Sequence, residues 1–224
     1  MSILYSIGCS HTANMVLEPE QRYPYLLSRK LNWKLRPGAI AGSCNRRIIR
    51  STYRDCLNLQ KEKDDIFVLL QLTYLHRTEY AGVRTKDNQW KYSFNEEFFE
   101  YDKFESLNPN ITDVSTNVKK WTELGFTLHD ELAEFNRICS ELIGLISFFK
   151  QHNINYIIYT GPKIKLDDAL LENDILYRYL KKDTRVLDLI NFNMLGITGK
   201  QSHPDKDGME LISDYFFNLL CEPA

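Results

Sequence analysis

The residues of this sequence best suited to chemistry stand near its two ends. Ser10 lies in Tyr5-Ser6-Ile7-Gly8-Cys9-Ser10-His11-Thr12, and His203 in Gly199-Lys200-Gln201-Ser202-His203-Pro204-Asp205-Lys206-Asp207-Gly208-Met209. A serine hydroxyl is a weak nucleophile until a base takes its proton, and histidine is the side chain whose ordinary pKa suits that task near neutrality. His203 sits at the mouth of a final helix, on a loop that can swing toward a serine at the end of a first strand. His11 is adjacent to Ser10, but neighbours on an extended segment point apart, which makes it the poorer base. His76, His129 and His152 have no comparable setting. A Gly-Cys-Ser turn by itself commonly just caps the next helix, so the pairing with His203 is what singles out Ser10.

The elements that must position this pair alternate strand and helix. Ile3 to Ile7 reads as a short buried strand ending in a glycine-bearing turn, where open α/β sheets place their ligands. Tyr23 to Leu31 fits one apolar helix face, and Trp33 to Ala41 is extended and broken by Pro37-Gly38. Gly42-Ser43-Cys44-Asn45 opens a second helix with an apolar stripe at Ile48, Ile49, Thr52, Cys56 and Leu59. Arg46, Arg50 and Arg54 recur every four residues on another face, chiefly a solvated one, with Arg46 or Arg47 near enough to the helix start to reach an anionic substrate group. Asp65 to Gln71 is a continuous apolar run of the kind a central parallel strand shows. Thr127 is a plausible N-cap for a helix through Phe149, Asn155 to Thr160 reads as a strand, and Asp167 to Leu180 as a helix. Arg185 to Leu189 is a last short strand, and Pro204, at N1, starts an amphipathic helix to Leu220. This alternation predicts a parallel sheet covered by helices on both faces. Residues 74 to 125 break the pattern and are rich in aromatics and acids, which marks an insertion with some helix, open to service as lid, specificity wall or oligomer contact.

The bulk numbers exclude several classes. The chain has 224 residues, 43% hydrophobic and 26% charged, which suits one domain spanning 1–224. A net charge of −2 gives no field favouring nucleic acid or an anionic membrane, and no run approaches the ~20 apolar residues of a membrane span. Five scattered cysteines without a CxxC pair suit a reduced, cytoplasmic protein, and no export signal stands at the amino terminus. No HExxH-like ligand cluster, GxxxxGK[ST] or GxGxxG pattern appears, so neither a metal nor a nucleotide cofactor is expected.

With these blocks in hand, the chain resembles the SGNH (GDSL-type) hydrolase superfamily, and in particular its divergent members from tailed bacteriophages, whose setting would be the host cytoplasm. The first block is Ile7-Gly8-Cys9-Ser10-His11-Thr12, with Cys9 where the family has an acid. The second is Ala39-Ile40-Ala41-Gly42-Ser43-Cys44-Asn45, and the third ends in Gln71-Leu72-Thr73, with Thr73 at the usual asparagine position. The fifth keeps His203-Pro204 but has Lys200 where the acid belongs. The resemblance spans almost the whole chain. It implies a three-layer α/β/α flavodoxin-like fold with a central parallel sheet of about five strands. It also implies Ser10 as nucleophile, His203 as general base, and the backbone N–H groups of Ser10 and Gly42 lining an oxyanion hole. Asn45 or the Thr73 hydroxyl would supply the third donor. A backbone carbonyl, Asp205 or Asp207 would orient His203. Arg77 and Glu79, just past the third block, are candidates for binding substrate beside Arg46.

The function expected on these grounds is a serine esterase using a Ser–His dyad on a small acyl ester, plausibly an O-acetyl group on a carbohydrate. The competing expectation is a binding or structural protein that keeps the fold after losing efficient chemistry. The altered positions Thr73 and Lys200 motivate it.

Overall fold

In the computed structural model the described residues are 2–41, 43–62, 65–75, 77–81, 83–84, 90–91, 104–107, 130–164, 166, 171, 174–198 and 203–221, with only the backbone described at 78–81, 83–84, 90–91 and 104–107. The centre is a parallel sheet of β1 (Ile3–Ile7), β2 (Lys34–Pro37), β3 (Ile66–Leu72) and β8 (Asn155–Thr160) in the order β2-β1-β3-β8. β1 pairs with β2 and β3, and β3 with β8, each in parallel register. The expected fifth strand is reduced to one parallel bridge between Ile158 and Val186, held by Ile158 N–H to Arg185 and Leu187 N–H to Ile158 at 2.9 Å each.

Strand alternation sorts the core into two layers, because successive side chains point to opposite faces. Ile3, Tyr5, Ile7, Val68, Leu70, Tyr156 and Ile158 pack on one face with α3 (Asn45–Leu59) and α4 (Glu131–Gln151), joined by α5 (Ile175–Leu180). Leu4, Leu69, Ile157 and Tyr159 pack on the other with α2 (Tyr23–Leu31), α6 (Met194–Thr198) and α7 (Lys206–Cys221). Three layers, α/β/α, result. Phe135, Ile138, Cys139, Leu142, Leu145, Ile146 and Phe149 make α4 one long buried stripe, each large side chain contributing roughly 1.5–3 kcal/mol by leaving water.

Several boundaries differ from the sequence reading. α4 is capped by Asp130, whose carboxylate accepts the Leu132 and Ala133 N–H groups at 2.9 and 3.0 Å, whereas Thr127 lies outside the described residues. Asp174 caps α5 through the Tyr177 N–H at 2.8 Å, and positions 167–170 and 172–173 of the longer helix expected there lie outside the described residues. Pro204 is not at N1 of the last helix. That helix starts at Lys206, because the Asp205 carbonyl and carboxylate take up the Met209 and Gly208 N–H groups at 2.9 and 3.0 Å. Most of the 74–125 segment lies outside the described residues. Its described part contains two antiparallel pairs, β4 (Thr78–Ala81) with β7 (Phe104–Leu107), and β5 (Val83–Arg84) with β6 (Trp90–Lys91). Among the described residues no helix is long and apolar enough to cross a membrane.

Candidate active site

The carboxyl ends of β1 and β3 and the loop before α7 meet at one place. β1 runs through Gly8 into α1 (Ser10–Ala13), so Ser10 opens a short helix instead of sitting on an extended segment. Its N–H belongs to the first turn and has no partner within the helix. Ser10 is half-buried, while Cys9 and His11 on either side are buried.

His203 comes to this turn from the far end of the chain. Its ring stacks on His11, with centroids 4.8 Å apart and planes 19° apart. One residue on, the Pro204 carbonyl accepts the Asn14 Nδ2–H at 2.7 Å, in a buried bond that ties the histidine loop to the end of α1. Asn14 ends that helix with φ of 27°, a backbone setting asparagine tolerates better than most residues. His203 itself stays exposed, yet its pKa is lowered from 6.5, first by partial desolvation and then by the neighbouring His11 and Arg77. Neutral solution therefore leaves it unprotonated, as a base must be. Neither His203 nor His11 is hydrogen-bonded to the Ser10 hydroxyl among the described residues.

Beneath the turn lies a polar network that sequence reading missed. Gln71, fully buried at the end of β3, accepts the Cys9 N–H at 3.3 Å and the Thr12 hydroxyl, and donates to the Cys9 sulfur at 3.2 Å and to the Leu72 carbonyl at 3.1 Å. Thr12 continues to the Tyr23 hydroxyl at 2.9 Å and Tyr23 to that of Tyr159. Gly8 leaves the room this needs, since a Cβ there would meet Gln71 Oε1 at 2.6 Å and Thr12 Oγ1 at 2.7 Å. The available signal was a glutamine inside an apolar strand, since a buried amide must find partners.

The buried Cys9 is pulled both ways by its surroundings. Burial pushes its thiol up. The hydrogen bond to His11 Nδ1 at 3.2 Å and the charge of that imidazole outweigh burial and bring the thiol down to about 6. The Thr73 hydroxyl adds to this effect, although it is buried and makes no hydrogen bond of ordinary geometry. His11 is thus a fixed platform held from below by Cys9, and His203 rests on it.

The other expected site residues divide. Asn45, buried at the start of α3, accepts the Thr73 N–H at 2.8 Å and donates to the Thr73 and Tyr74 carbonyls at 3.1 and 3.5 Å. Both ends of its amide are engaged with backbone, so it fastens α3 to the end of β3. Gly42 lies outside the described residues. Arg77 is buried at 7% exposure, with Nη1 3.5 Å from the Ser43 carbonyl and its guanidinium 5.0 Å over the Tyr74 ring. Tyr74 in turn lies 6.1 Å from His11. Arg46 is exposed on α3 and makes no hydrogen bond or ion pair with a described residue. Glu79 is in β4, paired with Ser106, and its side chain is outside the described part. The Asp205 carboxylate caps α7, as above, and Asp207 is exposed in the first turn of α7. His152 packs on Phe148 at 4.4 Å, and His76 and His129 lie outside the described residues. No group of three or more His, Cys, Asp or Glu able to hold a metal occurs among the described residues.

The architecture is found in solved structures. A G-D-S-L family protein from Desulfitobacterium hafniense DCB-2 superposes with a TM-score of 0.51 at 10% identity, over 97% of this chain and 98% of that one. The psychrotrophic esterase EstA from Pseudoalteromonas sp. superposes at 0.52 and 16% identity, over 97% and 96%. This chain has the SGNH hydrolase fold. No known protein-family model matches the chain, and no curated protein matches it. At these identities the likeness concerns the fold, and the site must be argued from its own geometry.

Proposed function

We propose that the protein is a serine esterase of SGNH type, with Ser10 as nucleophile and His203 as general base. The observation that carries this reading is the docking of His203 onto the turn that bears Ser10, through the His11 stack at 4.8 Å and the Asn14 bond to the Pro204 carbonyl at 2.7 Å. The fold shared with a G-D-S-L family protein and an esterase supports it. His203, neutral at pH 7, takes the Ser10 proton as Oγ bonds to the acyl carbonyl carbon. The Ser10 N–H and, by the family resemblance, that of Gly42 receive the oxyanion, each such donor contributing about 3 kcal/mol. His203 then returns the proton to the leaving alcohol oxygen as the C–O bond breaks, and water repeats the sequence on the acyl-enzyme to release the acid. With Asn45 committed to backbone, the Thr73 hydroxyl is the remaining one of the two candidates for a third donor. The base works in a dyad, steadied by His11 instead of by a carboxylate. The substrate is a small acyl ester, for which an O-acetyl group on a carbohydrate is the form the resemblance supplies.

A non-catalytic binding protein is the second reading, favoured by the open Ser10 hydroxyl and by the loss of the acid behind His203. Hydrolysis of p-nitrophenyl acetate separates the two. The wild type is expected to turn over, and Ser10→Ala and His203→Asn to fall by roughly 10³-fold or more. Equal rates for the wild type and Ser10→Ala would end the proposal.

A further inference from the structure

Arg77 carries a cost that no carboxylate among the described residues offsets. Its guanidinium is in a residue 7% exposed, and no ion pair joins it to a carboxylate among the described residues. Taking a charge out of water without a partner is costly, and proteins ordinarily pair such groups or leave them at the surface. Among the described residues Nη1 reaches only the Ser43 carbonyl, at a long 3.5 Å, and the ring of Tyr74 covers one face at 5.0 Å. Nε is buried and has no hydrogen-bond partner, and Nη2 makes none with a described residue. Among the described residues the Nε–Nη2 edge is thus open, and that edge is the fork that takes a carboxylate side-on with two parallel hydrogen bonds. Of five buried side-chain polar atoms left without partners among the described residues, two, Thr73 Oγ1 and Arg77 Nε, fall in the stretch after β3 that borders the site. Arg77 also lies close enough to the catalytic imidazole for its charge to act on His203, and Tyr74 links it to His11.

We propose that Arg77 receives a carboxylate borne by the substrate, so that the ester taken by this site is the ester of an acidic molecule. This rests on the esterase reading for the reaction, but the binding step is independent of it. A single guanidinium matches the single charge of a carboxylate. Binding has a second effect. Arg77 disfavours the protonated form of His203, and a carboxylate seated on Arg77 cancels that field. His203 therefore becomes more basic once the charged ester is bound, and the acid limb of kcat for a charged ester lies at higher pH than that for a neutral one.

The test compares mono-p-nitrophenyl succinate with p-nitrophenyl acetate for the wild type, Arg77→Met and Arg77→Lys, and measures succinate binding by calorimetry on the wild type, Ser10→Ala and Arg77→Met. Arg77→Met is expected to lose roughly 10- to 100-fold more kcat/KM on the charged ester than on the neutral one, the range for losing a charge-assisted pair. Arg77→Lys, which keeps the charge without the fork, should recover part of that loss. Arg77→Met should also melt at or above the wild-type temperature, because an unpaired buried charge has been removed. If no ester is hydrolysed the esterase reading fails, and binding alone decides the inference: Ser10→Ala must bind succinate like the wild type and Arg77→Met must not. Equal losses on both esters would make Arg77 an oxyanion donor and overturn the proposal. Succinate binding unchanged in Arg77→Met would overturn it as well, as would inorganic phosphate binding more tightly than succinate.

Discussion

Asn14→Gly removes the tether between the His203 loop and the turn that bears Ser10. Asn14 holds the Pro204 carbonyl at 2.7 Å in a buried bond, and its own backbone has φ of 27°. Glycine accepts that backbone without strain, so the substitution removes the amide, with the 3.3 Å bond its Oδ1 accepts from the Val16 N–H, and little else of the local geometry. The Pro204 carbonyl, buried with its residue, is left without its donor, which costs roughly 1–3 kcal/mol. That free energy falls on the docked form of the histidine loop and not on the undocked form. Because 1.4 kcal/mol is a factor of ten, the docked fraction relative to the undocked falls by about 5- to 150-fold. Where docking is nearly complete in the wild type the first part of that loss is masked, so kcat/KM is expected to drop by between about 3- and 100-fold. Initial rates on p-nitrophenyl acetate, with Ser10→Ala as the blank, measure it. The melting temperature should fall by no more than about 12 °C, given ~2–4 °C per kcal/mol for a chain of this size. A folded Asn14→Gly protein with wild-type kcat/KM would refute the reasoning, since the loop would then not need this tether to present His203.

Three further outcomes follow from the same network. Gln71→Met leaves the buried Cys9 N–H and Thr12 hydroxyl short of an acceptor, so unfolding stability should fall by about 2–4 kcal/mol and thermal melting by roughly 5–15 °C; an unchanged melting curve contradicts the role given to Gln71. The free-enzyme pH profile, kcat/KM on a neutral ester, should hold from pH 7 downward and fail only below 6.5, because the His203 pKa is lowered and the base is lost as pH falls through it; an acid limb above 6.5 contradicts the assignment. Thiolate absorbance at 240 nm in the native protein should show one group titrating with a midpoint near pH 6 that Cys9→Ser removes. The stabilisation that accompanies this lowered pKa is complete above the thiol's ordinary value of 9.0 and is lost as pH falls through about 6.

The layer architecture was legible because strand periodicity and uninterrupted apolar runs leave few alternatives. Residues 66–72 could only be a strand buried on both faces, and 45–59 only a helix with one apolar side. Strand order and the shrinkage of the fifth strand to a bridge at Val186 were not legible, since they depend on crossovers that no local pattern encodes. At the site, Ser10 and His203 could be named because their chemistry is unusual at those positions. The support beneath them could not: Gln71, Asn14 and Asn45 act through contacts across 62, 190 and 28 positions, which sequence spacing does not reveal. His11 was set aside on the premise of an extended segment. The turn is helical instead, and the ring became the platform on which His203 stacks.

The central claim is that Ser10 is a nucleophile activated by His203, and covalent trapping tests it most directly. The protein would be treated at pH 7.5 with a p-nitrophenyl alkylphosphonate, which loses p-nitrophenolate as a serine oxygen bonds to phosphorus, and the adduct would be mapped by peptide mass spectrometry. The account predicts a single adduct on Ser10, none in Ser10→Ala, and labelling slowed by at least ~10²-fold in His203→Asn. Labelling of another residue, or equal labelling rates with and without His203, would contradict it.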